Sequence, residues 1–347
     1  MKKIELQIHK CVNTFSKLST CNSCLENCPT NAFSRDENSS ILQISQTKCI
    51  ECGSCLSSCP NEAISLQKFS PINFIFSSLE SSEKLSLDCK NNIPCISALS
   101  PEELISLLIF KKDDVNIELS HCANCEIFPT LFEKIENLLS ETELFREALG
   151  VENRLLILNE KKEFSKMDNI PNLEKREILN TTLFQKKRDV FNSDELSKIE
   201  RGVLPNRRKL FLMALKRLEN SSNHILEGED LSFISNKEID QSCTNCQICY
   251  RICPTKALRS DYKNSFIEFN VASCIKCNLC HDVCETSSIN IVNFQVSELK
   301  SNTSKKLIEF SILKCHECDT YFTKVGNSNL CKRCQIEEDE ANELWGF

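Results

Sequence analysis

Seven cysteines recur twice in this chain at one constant offset, and thiolates so arranged are metal ligands. Cys21, Cys24, Cys28, Cys49, Cys52, Cys55 and Cys59 return 225 residues later as Cys246, Cys249, Cys253, Cys274, Cys277, Cys280 and Cys284. Each block reads C-x2-C-x3-C, a spacer of twenty residues, then C-x2-C-x2-C-x3-C. Thiolates two residues apart can reach different irons of one cubane, while a cysteine three residues further on points away from it. The repeat therefore predicts iron–sulfur chemistry.

With 24 cysteines in 347 residues, one scheme must account for all of them. A secreted disulfide framework is the rival, since the number is even. Against it, the chain is long, and its start MKKIELQIHKC shows no apolar signal region or small-residue cleavage site. No apolar run approaches the ~18 residues of a membrane span. A cytoplasmic location is expected, where thiols stay reduced and clustered cysteines read as metal ligands. The net charge of −7 argues against general nucleic-acid binding. Charge is uneven, because residues 176–217 hold eleven Lys or Arg against five Asp or Glu, a local +6.

Two further cysteine groups stand outside the repeat. Cys89, Cys95, Cys122 and Cys125 lie between the blocks. Cys315, Cys318, Cys331 and Cys334 form C-x2-C-x12-C-x2-C near the end. The latter spacing suits a tetrahedral Zn(Cys)4 ribbon, with rubredoxin-type iron as the alternative. Asp319 and Gln335 stand where rubredoxin-type knuckles carry glycine, which favours zinc.

The elements that must position these ligands are legible in part. Between the cysteine runs, Ile41-Leu42-Gln43-Ile44 and Phe266-Ile267-Glu268-Phe269 alternate as short antiparallel strands do. INFIF (72–76), KLSL (84–87), VNIEL (115–119) and RLLIL (154–158) read as buried strands. A helix is expected over 101–110, with Ser100 as N-cap, Pro101 first and Glu103 completing a capping box. A second runs over 129–149, stops at Gly150, and has Phe132, Ile135, Leu139 and Phe145 as its apolar face. Strand, helix, strand, helix, strand predicts a small parallel α/β domain. Its four cysteines follow strands at their carboxyl ends, where such sheets place ligands.

The segment from 160 to 238 has no cysteine and is charged and helical in composition. Within it, Pro205 opens a helix whose Phe211, Ala214, Leu215 and Leu218 form an apolar face. Arg207, Arg208, Lys209, Lys216 and Arg217 leave two readings: an amphipathic helix packed on a module, or a docking surface for an acidic redox partner. The acidic terminus ends in Trp345 and Phe347, the makings of an interaction peptide.

Both cysteine blocks resemble the bacterial two-[4Fe–4S] ferredoxin domain, down to CPTNA at Cys28 and CPTKA at Cys253. The resemblance implies cross-ligation. Cys243, Cys246, Cys249 and Cys284 would hold one cluster, and Cys274, Cys277, Cys280 and Cys253 another. In the first block Cys49, Cys52, Cys55 and Cys28 make a third set. Cys21, Cys24 and Cys59 lack a fourth member, because Leu18 stands where Cys243 has its counterpart. Cys11, on a longer loop, is the expected substitute. Otherwise the site is a three-cysteine one, with a [3Fe–4S] cluster or a ligand such as His9. A second departure is Glu285, where the other runs have Pro29, Pro60 and Pro254. Its negative charge would lower the potential of the neighbouring cluster. Residues 93–125 are similar, weakly, to the delta subunit of methyl-viologen-type hydrogenases, which implies a [2Fe–2S] cluster at Cys89, Cys95, Cys122 and Cys125. Zinc is the alternative there.

The expected architecture is an α+β multidomain chain. A dicluster ferredoxin (1–68), a small α/β domain (69–159), a charged helical linker (160–238), a second dicluster ferredoxin (239–296) and a zinc-ribbon-like tail (297–347) follow one another. Four [4Fe–4S] clusters, the middle site and the tail account for all 24 cysteines. No nucleotide loop or acid–base constellation is present. The chain reads as a polyferredoxin, an electron-transfer subunit rather than a stand-alone enzyme. By family resemblance its partner would be a molybdenum- or tungsten-dependent enzyme such as formate dehydrogenase, or a hydrogenase. Two other classes remain open: a redox-sensing or assembly protein, and an enzyme using the middle cysteines.

Overall fold

The computed structural model describes residues 3–35, 42–81, 83–158, 203–218, 224–324 and 328–345. The expected linker therefore lies outside the described residues up to 202, as does the terminal Phe347.

The two cysteine blocks fold alike. In the first, strand Ile4–Leu6 pairs antiparallel with Ile64–Leu66, and Phe33–Arg35 pairs with Leu42–Ile44. In the second, Asn236–Ile239 pairs with Ile289–Val292, and Leu258–Arg259 pairs with Phe266–Phe269. Alternation decides the faces: Ile267 and Phe269 are buried while Phe266 and Glu268 between them are partly exposed. A short helix follows the first cysteines of each run, Ser23–Glu26 and Ser54–Ser58 in one module, Ile248–Arg251 and Leu279–Asp282 in the other. The second module gains a further strand, Lys305–Glu309, which pairs antiparallel with Phe266–Phe269, and among the described residues the first has no counterpart.

Between the modules stands a three-stranded parallel sheet, Ser86–Leu87, Val115–Glu118 and Leu155–Leu158 in that order. Helix Pro101–Lys111 connects the first two strands, and helix Phe128–Leu149 connects the second to the third. Ser100 and Glu103 form the expected capping box, and Gly150 ends the long helix at φ 69°. Nearly every residue of Pro101–Lys111 is buried, so the helix runs through the interior.

Three expectations are corrected. RLLIL forms the edge strand Leu155–Leu158 but is not buried, since Leu156 and Ile157 are 41 % and 49 % exposed. INFIF is part of a helix, Pro71–Glu80, with Ser70 accepting from the Asn73 N–H at 3.4 Å and Pro71 in the first turn. Its Ile75, Phe76 and Leu79 are buried at helical spacing, whereas a strand would have buried every second residue. The apolar face of the long helix is also rotated. Leu131, Ile135, Leu138, Thr142 and Phe145 are buried, and Phe132 is 50 % exposed, edge-on to Phe128 at 5.6 Å.

The helix Asn206–Lys216 inserts Leu210, Phe211, Ala214 and Leu215 into the interior. Phe211 meets Phe145 and Phe233 edge to face at 5.6 and 5.9 Å. It joins the parallel-sheet region to the second module in one continuous core, while the first module has a separate small one. The tail is a hairpin, Ile312–Lys314 with Tyr321–Thr323, followed by helix Lys332–Trp345. Among the described residues no helix is long and apolar enough to cross a membrane.

Candidate metal centres

Four cavities in the two modules are each walled by four cysteines. In the first module one of about 340 Å³ is lined by Cys11, Cys21, Cys24 and Cys59, and one of about 300 Å³ by Cys28, Cys49, Cys52 and Cys55. In the second, Cys253, Cys274, Cys277 and Cys280 line one of about 340 Å³. Cys243, Cys246, Cys249 and Cys284 line another of the same size. In every set the remote cysteine of one run stands with the three of the other.

The backbone around these cavities has a repeated shape. The residues just before and just after the middle cysteine are left-handed in three runs: Glu51 and Gly53, Asn245 and Gln247, Lys276 and Asn278, with φ from 44° to 79°. Alternating right- and left-handed residues turn successive N–H groups to one side, which makes a concavity for an anion. The third residue after each remote cysteine is also left-handed, namely Asn31, Glu62, Lys256 and Ser287. This turn aims the next N–H at the sulfur: Ala32 donates to Cys28 Sγ and Ala63 to Cys59 Sγ, both at 3.2 Å. Glu285 leaves the turn intact, since Ser287 adopts the same conformation as its three counterparts.

Cys11 reaches its cavity through two one-turn 3-10 helices, Ile8–Lys10 and Val12–Thr14, that flank it. Asn61 donates to the Lys10 carbonyl at 2.7 Å, and Asn13 to the Cys21 carbonyl at 3.0 Å, so both sides of the loop are tied to the cavity. His9 is exposed and does not line it.

Burial raises most of these thiols. Cys24, Cys249 and Cys280 are pushed up to about 12, first by burial; the thiols of its own set add to the shift at Cys24, Cys280 of the neighbouring set is the next cause at Cys249, and Lys237 opposes the shift at Cys280. Cys55 and Cys277 shift further in the same direction by burial. Such groups shed their protons to a metal rather than to water. Cys284 differs. Burial raises it too, but hydrogen bonds from Ser288 (3.4 Å) and Thr286 (3.7 Å) bring it below the ordinary thiol value. Four thiols, a concavity of N–H groups and a largely apolar wall fit a cubane cluster with net negative charge.

The middle cysteines gather at the carboxyl end of the parallel sheet. Cys89 follows strand Ser86–Leu87, and Cys122 and Cys125 lie on the turn after Val115–Glu118. Burial raises Cys122 to about 11, and Cys89, Cys95 and Cys125 add to the shift. His121 pairs with Asp88, 3.8 Å away. This group abuts the first module: Cys95 is among the thiols that raise the half-buried Cys52. Gly53 permits the approach, since a Cβ there would fall 2.6 Å from the Ala98 Cβ. Lys134 of the long helix reaches across to the Ser54 carbonyl and the hydroxyls of Ser54 and Ser58 at 2.5–2.9 Å.

In the tail, Cys315, Cys318, Cys331 and Cys334 have their sulfur atoms all within 4.8 Å of one another. Cys318 and Cys331 are 3.7 Å apart. A tetrahedron of sulfurs about 2.3 Å from one ion has edges of about 3.8 Å. The four thiols thus fit a single metal ion. Backbone N–H groups of Cys318 and Cys331 lower Cys315 to about 6, which holds a thiolate ready for it.

Sequence reasoning missed the surroundings of Arg207 and Arg208. Both are buried, at 5 % and 0 % exposure, so the docking-surface reading does not hold for them. Glu102, their partner, is also buried. The adjacent capping box was the only nearby signal, and it explains Glu103 without calling for Glu102.

Two family models, both described as the 4Fe-4S dicluster domain, match residues 19–63 and 242–289. The chain carries two dicluster ferredoxin domains, and the first match begins beyond Cys11. No curated protein matches the chain.

Proposed function

We propose that the protein is a cytoplasmic polyferredoxin that relays single electrons to or from a larger oxidoreductase, such as a formate dehydrogenase or a hydrogenase. The observation that carries this reading is the set of four four-cysteine cavities in two modules joined through one scaffold. Each set, when loaded with a [4Fe–4S] cluster, would exchange one electron at a time at low potential. The ligands are Cys11, Cys21, Cys24 and Cys59; Cys28, Cys49, Cys52 and Cys55; Cys253, Cys274, Cys277 and Cys280; and Cys243, Cys246, Cys249 and Cys284. The protein's part is burial, spacing and N–H donation to sulfur.

Cys89, Cys95, Cys122 and Cys125 are assigned to a [2Fe–2S] cluster. Their thiols interact, yet they do not close to within 4.8 Å as the tail sulfurs do around a single-ion site. The tail cysteines are assigned to zinc.

Anaerobic iron, sulfide and zinc analysis with EPR of the reduced protein tests all of this. About eighteen irons with one zinc and a [2Fe–2S] signal are expected. About sixteen irons with two zincs would remove the middle site from the relay. Far fewer irons in properly reconstituted protein would overturn the carrier reading.

A further inference from the structure

Two adjacent arginines lie where the two ferredoxin modules and the central helix meet. Arg207 and Arg208 open helix Asn206–Lys216 and share one buried carboxylate, that of Glu102 at 2 % exposure. Arg207 Nε is 3.3 Å from Glu102 Oε2, and Arg208 Nε donates to Oε1. Their remaining N–H groups go to different parts of the chain. Arg207 donates to the carbonyls of Leu56 (3.1 Å), Ser57 (3.0 Å) and Cys59. Arg208 donates to the carbonyls of Ala272 (3.0 Å), Phe233 (2.8 Å) and Cys274. Cys59 belongs to the first module and Cys274 to the second. A cation–anion–cation triad therefore links the backbone of one thiol set to that of another.

Burying three charges costs several kcal/mol per ion in lost hydration, and apolar side chains of similar volume would fill the space as stably. What apolar packing lacks is direction. A guanidinium fork fixes both the distance and the orientation of the carbonyls it holds. The same seam has other ties. Thr20, next to Cys21, donates from N and from Oγ1 to the carboxylate of Asp282, both at 2.9 Å. Asp282 stands between Cys280 and Cys284. A cleft of about 1710 Å³ between the modules has both Cys21 and Cys277 on its wall.

We propose that Arg207, Glu102 and Arg208 are positioning residues. They hold the set Cys11, Cys21, Cys24, Cys59 against the set Cys253, Cys274, Cys277, Cys280, so that the two modules form one conduit with its crossing at this seam. The inference rests on the electron-carrier reading and adds to it an order of centres. From the middle cysteines the order runs through Cys28, Cys49, Cys52, Cys55 to the Cys11 set, across the triad to the Cys253 set, and on to the Cys243 set. The alternative is two independent ferredoxins, each with its own partner. Crossing the seam is a one-electron exchange. One centre is oxidised by one electron, the other is reduced by one, and no bond or proton changes place. The first electron comes from any low-potential one-electron donor. Tunnelling falls steeply with separation, so a seam fixed by ion-pair forks matters more here than stability alone requires.

The test is pulsed dipolar EPR on the full chain, reconstituted anaerobically and fully reduced. Wild type should show interaction among spins of both modules, rather than two isolated pairs. Arg208→Lys and Arg207→Lys keep the charge but lose the fork. They should retain wild-type iron and sulfide and the interactions within each module, while the interaction across the seam is lost or weakened. A wild-type spectrum with only the within-module pairs overturns the inference. So do fully loaded variants indistinguishable from wild type. Where the variants fail to hold iron, the wild-type measurement decides alone. A wild type with no reducible clusters overturns the carrier reading itself, whereas clusters without seam interaction overturn only this inference.

Discussion

The two modules share every spacing within the cysteine repeat, yet they are embedded differently. The first has its own core of twelve buried residues, and four of those are Cys11, Cys24, Cys49 and Cys55. In the second, Ile239, Leu258, Ile267, Phe269 and Ile289 belong to a core continuous with the parallel sheet and its helices. A third strand, Lys305–Glu309, extends the hairpin of the second, while that of the first is two-stranded among the described residues. A domain of some sixty residues with a core one-third cysteine buries too little apolar surface to be stable alone. Ligand spacing is thus one constraint and folding energy another. The first module must draw stability from its metal, and the second draws much of it from its neighbours.

Removing the metals should separate the two most strongly. After anaerobic chelation and oxidation, hydrogen exchange monitored by mass spectrometry is expected to show complete loss of protection over 3–66. Protection over 101–149 and 206–216 should persist, with part of 236–292 retained alongside. Equal loss in both modules would show that the shared core does not sustain the second. Next in size is Cys11→Ala. It should remove up to about four irons or convert one centre to a three-iron form. It should also loosen the loop 8–14 and the pairing of Ile4–Leu6, because Cys11 is part of the small core. Cys243→Ala should cost as much iron but leave strand Asn236–Ile239 protected. Unchanged iron in Cys11→Ala would end the assignment of that cysteine.

A smaller effect is expected at the contact between the first module and the parallel-sheet region. Gly53 has φ 79°, and an added Cβ would lie 2.6 Å from the Ala98 Cβ. Gly53→Ala therefore combines left-handed strain with a clash and should cost about 2–4 kcal/mol. Gly150→Ala is the control: φ is 69°, nothing lies within 4 Å, and the strain alone should cost about 1 kcal/mol. Urea unfolding of the two variants measures the difference. Equal costs would mean that the first module does not press on Ala98.

Much of this was legible in the residues. The cysteine spacing marks the two dicluster domains, the alternation around Ile267 marks the hairpin, and Ser100 with Glu103 marks the central helix. Three features were not. Four apolar residues among the five at 72–76 suit a strand or a helix equally, and the deciding cap, Ser70 before Pro71, is a weak signal unless it is sought. Phe132 was assigned to the wrong face because the stripe is set by Leu131, Leu138 and Thr142, and a buried threonine does not look like core. Arg207 and Arg208 read as solvated charge, since a run of basic residues normally is. Their burial depends on Glu102 and on carbonyls 25 to 151 residues away in sequence, which no local pattern encodes.

The finest test of the comparison is pH. Burial raises the Glu103 carboxyl to about 7, although Arg207 and the capping bonds from Ser100 pull it down. The unfolded chain has this group near 4.5, so between about 4.5 and 7 the folded state keeps a proton that the unfolded state releases. Its contribution to stability is complete below that window and is lost as pH rises through 7. Glu103→Gln keeps an acceptor for the Ser100 N–H and hydroxyl, now 2.7 and 2.9 Å from the carboxylate, and does not titrate. The variant should match wild type at pH 5 and exceed it by about 2–3 kcal/mol at pH 8. Thermal unfolding of the loaded protein, with hydrogen exchange at both pH values, measures it. The gain should appear over 101–149 and in the second module, which share a core with Glu103, and be absent over 3–66. An equal gain in the first module would mean that the triad joins the two cores into one cooperative unit.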